Sequence, residues 1–179
     1  MNRPTEQVRT GSAVYYGSSL GRVQRAAEQI AGLLGASRCV DIHFDGIAGI
    51  TDQSLVVLGL STWYTGELQR DWALHLDEVA RLDWSDCQVA MFCLGDQYGY
   101  PRTFGDGLAL LWDVIGARGA TLIGRWDPAC DPVGYEFEKS LGLRDGRFLG
   151  LMLDEDNQAG ATNERITSWV EQIRREHAQ

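Results

Sequence analysis

The chain has 179 residues, which suits one domain, and 44% of them are hydrophobic, so it can fill a core and a disordered chain is excluded. Its 16 Lys and Arg against 25 Asp and Glu give a formal net charge of −9. This charge excludes a typical nucleic-acid binder, because phosphate backbones attract cationic surfaces. No window reaches the roughly 18 apolar residues of a membrane span. The sequence therefore predicts no membrane segment.

The four cysteines are scattered, form no C-x-x-C pair and mostly lie in apolar runs. This usage is typical of a reducing compartment. We therefore expect buried, reduced thiols and a cytoplasmic protein. We also expect one domain over residues 1–179, with a frayed start at residues 1–10.

Apolar residues repeat along the chain with the period of strands and then of helices. In chain order, the pattern predicts a strand at 13–16, a helix at 23–34, a strand at 38–43, a strand at 54–60, a helix at 68–80, a strand at 88–94, a helix around 108–115, strands at 120–123 and 148–153, and a helix at 163–176. Thr162 is the expected cap of the last helix.

Strands separated by helices form βαβ units, and such units build a parallel sheet with helices on both faces. The predicted fold class is therefore a doubly wound α/β domain. Residues 124–146, with two Asp-Pro steps, interrupt the rhythm and are expected to be an insertion that splits the fifth strand. Ligands of such sheets bind beyond the carboxyl ends of the strands, where three loops are unusual.

The first loop, residues 17–23, joins the first strand to the first helix and reads Gly-Ser-Ser-Leu-Gly-Arg-Val. Its glycines allow a tight turn in which backbone N–H groups and the helix N-terminus point at one anion. It lacks the Gly-Lys-Ser/Thr ending of a nucleoside triphosphate loop and the G-x-G-x-x-G of a dinucleotide fold. Taken alone, it fits a phosphate site and an ordinary turn equally well.

The second and third loops, residues 61–68 and 95–101, are rich in aromatic residues and glycine. Taken singly, Trp63 is more typical of a cap on the core, and Tyr98 or Tyr100 of a surface turn. Aromatic residues on two neighbouring loops beside an anion site, however, describe a slot for a planar ring with a phosphate tail.

Several stretches of the sequence resemble the long-chain flavodoxins. They are Y-G-S at 16–18, S-T-W-Y-T-G-E-L-Q-R-D-W at 61–72, G-D-Q-Y-G-Y at 95–100 and L-D-E-D-N-Q at 153–158. The resemblance covers almost the whole chain from about residue 11. It implies a flavodoxin-like five-stranded parallel sheet of order 2-1-3-4-5, with 124–146 as the insertion of the long-chain members.

The resemblance also implies that the chain holds FMN non-covalently and carries single electrons at low potential. Trp63 and Tyr100 would cover the two faces of the ring, backbone at 64–66 and 95–97 would meet its polar edge, and Asp156 would lie toward the ribityl chain. The residues implied to contact the cofactor are Ser18, Ser19, Leu20, Gly21, Arg22, Val23, Ser61, Thr62, Trp63, Tyr64, Thr65, Gly66, Leu94, Gly95, Asp96, Tyr98, Gly99, Tyr100 and Asp156.

The phosphate loop departs from the family pattern of hydroxyl, any residue, Thr, Gly, any residue, Thr. Ser18 holds the first place, but Leu20 and Val23 stand where the two threonines belong. Two hydrogen bonds to a charged group are worth about 3 to 6 kcal/mol in all. We therefore expect FMN to bind more weakly or with a shifted phosphate, unless Arg22 folds back onto it.

Two alternatives stay open: a flavin-poor or flavin-free binding module, and an FMN-dependent quinone reductase on the same fold. A quinone reductase would need a substrate pocket over the ring, which Tyr100 should cover. As an electron carrier, the chain would be a monomer without catalytic residues. Its partners would be redox proteins, such as a flavin-containing NADP reductase and acceptor proteins.

We expect no metal site. His43, His75 and His177 are far apart in sequence and have no Cys or carboxylate at ligand spacing. The run from Asp154 imitates a calcium loop, but Ala159 stands where that loop needs Gly and Arg165 where it needs Glu.

Overall fold

The computed structural model describes residues 9–178. Most of the predicted frayed start, residues 1–8, therefore lies outside the described residues. The strands are β1 Ser12–Tyr16, β2 Arg38–Asp41, β3 Leu55–Trp63, β4 Glu67–Leu68, β5 Gln88–Leu94, β6 Thr121–Leu122, β7 Leu143–Arg144, β8 Arg147–Phe148 and β9 Leu151–Leu153. The helices are α1 Arg22–Leu34, α2 Ile42–Asp45, α3 Arg70–Val79, α4 Asp106–Gly116 and α5 Thr162–His177. Within residues 9–178, no helix is long and apolar enough to cross a membrane.

The main sheet is parallel, with the strand order β2-β1-β3-β5-β6, which confirms the predicted fold class. Its last position is shared by two segments. Thr121 of β6 pairs with Gln88 at the start of β5, and Leu151 of β9 pairs with Phe92 near its end. The fifth strand is therefore split by an intervening segment, as predicted.

The core lies around the central strands, which are covered on both sides. β1, β3 and β5 are buried over most of their length, as their apolar runs predict. Helix α1 packs against α5, and α3 packs against α4. Trp169 of α5 is fully buried, with its ring 6.3 Å from that of Phe92. The apolar stripe of the last helix thus packs on the sheet.

The loop predicted at 61–68 is largely a β-hairpin. β3 continues to Trp63 because Ser61 still pairs with Leu94 of β5, and Trp63 then pairs antiparallel with Glu67 of β4. Helix α3 consequently begins at Arg70, two residues later than predicted. Gln69 is its N-cap.

Three other predicted boundaries were wrong. β2 ends at Asp41, whose carboxylate accepts a hydrogen bond from His43 N and starts helix α2. Thr162 is not the cap of α5 but its first residue, because a 3₁₀ turn at Ala159–Ala161 leads directly into the helix. The strand predicted at 148–153 breaks at residues 149–150, because Phe148 pairs with Leu143 of β7 whereas Leu151–Leu153 pairs with β5.

The prediction of buried thiols was right for two cysteines and wrong for two. All four are free; Cys87 and Cys93 are buried, whereas Cys39 and Cys130 are exposed. Cys39 lies on β2, the edge strand of the sheet, and Cys130 lies in a 3₁₀ turn of the insertion. Edge strands and insertions have fewer neighbours to cover their side chains than the central strands have.

Candidate functional site

A cavity of about 250 Å³ opens at the carboxyl ends of β1, β3 and β5. The three loops singled out in the sequence meet there, together with the segment after β9. The lining residues are Ser18, Ser19, Leu20, Arg22, Val23, Ser61, Thr62, Trp63, Tyr64, Leu94, Gly95, Asp96, Tyr100, Glu155 and Asp156. The topology thus brings residues from distant parts of the chain to the edge where a doubly wound sheet binds its ligand.

Five predicted site residues do not line this cavity. These are Gly21, Thr65, Gly66, Tyr98 and Gly99. Conversely, Glu155 lines the cavity although it was not among the predicted contacts. The only indication in the sequence was its position beside Asp156.

The loop between β1 and α1 forms the anion-binding end. Gly21 caps α1 with a φ of 78°, a conformation that favours glycine. Ser18 Oγ accepts hydrogen bonds from Gly21 N at 3.1 Å and Gln24 N at 3.3 Å. Within the described part of the chain, the N–H groups of Leu20, Arg22 and Val23 have no acceptor. Free N–H groups at a helix N-terminus attract an anion.

The two residues that replace threonine behave differently from hydroxyl donors. Val23 is buried among the core residues that α1 contributes, although it also borders the cavity. Leu20 is 74% exposed at the rim. Neither side chain can donate a hydrogen bond, so the backbone N–H groups, Ser18, Ser19 and Arg22 are left as the donors at this end.

Two ion pairs join α1 to the segment after β9. The Arg22 guanidinium pairs with the Asp156 carboxylate, and Arg25 Nη2 lies 3.2 Å from Glu155 Oε2. The hydrogen bond and charge of Asp156 raise the pKa of Arg22. In the structure Arg22 therefore contacts the residue expected near the ribityl chain.

A buried side chain outside the predicted set supports the first loop. Gln69 Nε2 donates to Ser19 Oγ at 3.3 Å and to Asp71 Oδ2 at 2.7 Å. Its Oε1 accepts from the N–H groups of Asp71 and Trp72 and so caps α3. The G-E-L-Q stretch marked this residue, but only as part of a family motif. Gln69 thus couples the first loop to the start of α3.

The aromatic end of the cavity is built on the β3–β4 hairpin. Trp63 Nε1 donates to Ser61 Oγ at 2.8 Å, which fixes the orientation of the indole. Tyr64 has a φ of 45°, uncommon for a residue with a side chain, and Gly66 N donates to the Trp63 carbonyl at 3.1 Å. This tight turn presents backbone groups and Trp63 at the same edge.

The third loop is held by a carboxylate. Asp96 Oδ1 accepts from Gly99 N at 2.7 Å, from Tyr98 N at 3.1 Å and from Asn157 Nδ2 at 2.9 Å. The hydrogen bond from Gly99 N and the other donors lower the pKa of Asp96, against the opposing effect of burial. Asp96 therefore stabilises the turn that carries Tyr100, which is 49% exposed beside the cavity.

Among residues 9–178, no cluster of three or more His, Cys, Asp or Glu side chains could hold a metal ion. Arg165, which stands where a calcium loop needs Glu, pairs with Asp131 at 2.7 Å in the interior. The carboxylate of the buried Asp154 accepts N–H groups of Gln97 and Asn157. These acidic side chains are satisfied by donors from the protein.

The cavity combines apolar walls with one charged end. Trp63, Tyr100 and Leu94 offer flat or apolar surface, and the free N–H groups of the first loop lie at the other end. This arrangement fits an aromatic ring with an anionic tail. The ring end supplies aromatic and apolar surface, and the anion end supplies backbone donors and few side-chain donors.

Comparison with known proteins agrees with this geometry. The family model described as "Flavodoxin" matches residues 14–169. The flavodoxin of Nostoc sp. (strain PCC 7120) is 38% identical over 166 residues, covering 91% of this chain and 95% of that protein. Flavodoxin 1 of Escherichia coli K12 is 37% identical over 169 residues, covering 92% and 93%.

Solved structures agree in fold. The crystal structure of Fusobacterium nucleatum flavodoxin bound to flavin mononucleotide has a TM-score of 0.84 at 24% identity, covering 92% of this chain and 97% of that one. The match to the family model and the two relatives span nearly the whole described chain. This chain therefore belongs to the flavodoxin family.

Proposed function

We propose that this chain is an FMN-dependent one-electron carrier that exchanges electrons with redox proteins. The observation that carries the proposal is the cavity itself, in which Trp63 and Tyr100 border one continuous space with the N-terminus of α1. A ring and a phosphate joined by a ribityl chain need these two environments in one space. Membership of the flavodoxin family supports the same conclusion.

The chemistry of the carrier belongs to FMN, which accepts and releases electrons one at a time when bound. The chain holds the ring with Trp63 and Tyr100 and the phosphate with the first loop. Ser61 helps by fixing the Trp63 indole through the 2.8 Å hydrogen bond to its Oγ. We propose that the other residues named in the sequence analysis as cofactor contacts also touch FMN.

The turn at residues 63–66 can supply a backbone hydrogen-bond acceptor to the polar edge of the ring. Gly66 has a φ of 103°, and a Cβ atom there would stand 2.9 Å from Asp106 Oδ2. Only glycine fits this place without strain, and glycine lets the neighbouring peptide reorient. We propose that a carbonyl of this turn would accept a hydrogen bond from the protonated edge of a bound ring.

The charge of the chain favours a low potential for the second electron. The net charge is −9, and Asp96, Glu155 and Asp156 border the cavity. Negative charges at short range disfavour adding a further negative charge to the ring. The chain's carboxylates thus make the reduced carrier a strong donor.

Partners reach the site from the open side of the cavity. Leu20, Tyr64 and Tyr100 are exposed there and surround the opening with apolar surface. We propose a flavin-containing NADP reductase and acceptor proteins as partners, and the cytoplasm as the location, because free thiols suit a reducing compartment. Membership of the flavodoxin family does not favour the two alternatives, a flavin-free binding module and a quinone reductase.

The test is a titration of the purified chain with FMN, followed by the fluorescence of the flavin. Stacking against Trp63 quenches this fluorescence, so we expect saturable quenching at one FMN per chain. Trp63→Ala should weaken binding by roughly 10-fold, about the loss of one aromatic stacking contact. Trp112 of α4, which is half-buried and does not line the cavity, offers a control, since Trp112→Ala should leave FMN binding unchanged. No quenching by the wild-type chain would overturn the proposal.

A further inference from the structure

The ion pair of Arg22 and Asp156 stands at the phosphate end of the cavity. We propose that Arg22 is the side chain that recognises the FMN phosphate, and that Asp156 competes with the phosphate for it. This inference rests on the proposed FMN function. Together the two residues would set how strongly the chain prefers FMN over riboflavin, which has the same ring and no phosphate.

The composition of the cavity wall supports this role for Arg22. Among the described residues that line the cavity, Arg22 is the only cationic side chain, whereas Asp96, Glu155 and Asp156 are acidic. Arg22 is also the first residue of α1 and follows the glycine that turns the loop. A phosphate drawn to the helix N-terminus would therefore arrive within reach of its guanidinium.

The missing hydroxyl groups increase the importance of this cation. Leu20 and Val23 cannot donate hydrogen bonds, so Arg22 is the strongest remaining side-chain donor at this end. A guanidinium offers several N–H groups in a planar fork that matches phosphate and carboxylate alike. The same geometry explains why Asp156 can occupy it.

Exchange of partners at Arg22 requires little rearrangement. The side chains of Arg22 and Asp156 are 41% and 48% exposed, so neither must leave a packed interior to move. Exposed ion pairs contribute little to stability, and breaking this one therefore costs little. Asp156 has no other hydrogen-bond donor within the described chain, so its carboxylate would return to solvent.

The test compares the dissociation constants of FMN and riboflavin for four chains: wild type, Arg22→Gln, Asp156→Asn and the double variant. Arg22→Gln should weaken FMN binding by about 10- to 100-fold, because hydrogen bonds to a charged group are lost. It should weaken riboflavin binding by less than about twofold. Asp156→Asn should strengthen FMN binding by roughly 3- to 10-fold, because it removes the competitor and a repelling charge. It should change riboflavin binding less than FMN binding, because riboflavin has no phosphate for the carboxylate to repel.

The double variant separates competition from a general effect of charge. If Asp156 acts through Arg22, most of the gain from Asp156→Asn should disappear when residue 22 is Gln. Arg25→Gln is the matched control for Arg22→Gln, because Arg25 is 63% exposed, pairs with Glu155 and does not line the cavity. It should change FMN binding by less than about twofold, since charges outside the cavity are screened.

Inorganic phosphate provides a second readout that needs no flavin. It should weaken FMN binding to the wild-type chain by competition and leave riboflavin binding unaffected. In Arg22→Gln this competition should need a higher phosphate concentration, because only the backbone N–H groups and the serine hydroxyls remain as donors.

The outcomes distinguish this inference from the proposed function. If the wild-type chain binds neither flavin, the proposed function fails and the inference fails with it. The wild-type chain could instead bind FMN while Arg22→Gln weakens the binding of FMN and riboflavin equally, or the gain from Asp156→Asn could persist in the double variant. Either result would show that Asp156 and the phosphate do not compete for Arg22, while the carrier function stands.

Discussion

Gly17 and Gln69 approach each other so closely that a Cβ atom on residue 17 would stand 2.2 Å from the Gln69 side-chain oxygen. Gly17 is the first residue of the anion-binding loop, and Gln69 is the buried side chain that donates to Ser19 and caps α3. The first loop and the start of α3 can therefore come together only because residue 17 has no side chain.

Gly17→Ala should displace Gln69 and disturb both elements. We expect the free energy of unfolding to fall by about 1 to 3 kcal/mol, as for other insertions of a methyl group into a packed interior. FMN binding should weaken as well, because Ser19 loses its support. Urea denaturation of the flavin-free chain and a titration with FMN measure the two effects.

Gly32→Ala is the matched control for this substitution. Gly32 lies inside α1, and a Cβ atom there would meet nothing within 4 Å. Replacing a helical glycine with alanine should raise the free energy of unfolding by about 0.5 to 1 kcal/mol. A loss of stability at position 32 similar to that at position 17 would contradict the role assigned to Gln69.

The buried ion pair of Asp131 and Arg165 should hold the insertion to α5. Arg165 Nε lies 2.7 Å from Asp131 Oδ2, and the two side chains are 3% and 0% exposed. Asp131→Ala would leave the guanidinium buried without its partner, which typically costs about 3 to 5 kcal/mol. The measurement is again the free energy of unfolding in urea.

A surface pair provides the comparison. Asp113 and Arg144 also lie 2.7 Å apart, but their side chains are 59% and 39% exposed. Asp113→Ala should lower stability by no more than about 1 kcal/mol. Equal losses for Asp131→Ala and Asp113→Ala would mean that burial does not make the Asp131 pair important.

The stability of the third loop depends on pH through the Asp96 carboxylate. The hydrogen bond from Gly99 N is the largest cause that holds its pKa below the ordinary value of 3.8. A carboxyl group whose folded pKa is lowered contributes stability above its unfolded pKa and loses that contribution as the pH falls through the folded value. Asp96 should therefore stabilise the turn at neutral pH and stop doing so in acid.

Asp96→Asn should consequently lower the free energy of unfolding by about 1 kcal/mol at pH 7, the order of one hydrogen bond. The difference from the wild-type chain should shrink as the pH falls below 3.8. Asp77→Asn, on the exposed side of α3, is the control that should show neither effect. A difference for Asp96→Asn that stays constant between pH 7 and pH 3 would contradict this assignment.

The sequence predicted the sheet and the meeting of its loops because these depend on local patterns. The apolar run at 88–94 reproduces the bounds of β5, and the glycine-rich ends of the strands mark the cavity. Parallel strands all end at one edge, so locating the strands also locates the site.

Features that depend on distant contacts could not be predicted in this way. Arg22 and Asp156 are 134 residues apart, and nothing in either segment indicates that the side chains pair. The contact of Gly17 with Gln69 likewise depends on how two loops pack. Cys39 stands in a strand pattern, but its exposure follows from the position of β2 at the sheet edge.

The central claim is that this chain carries single electrons on FMN. An anaerobic titration of the FMN-loaded chain with a reductant, followed by its visible absorption, tests this claim most directly. The account predicts two separate phases of one electron each, because the turn at Gly66 favours the first step and the surrounding carboxylates oppose the second. A single phase in which two electrons enter together would contradict it.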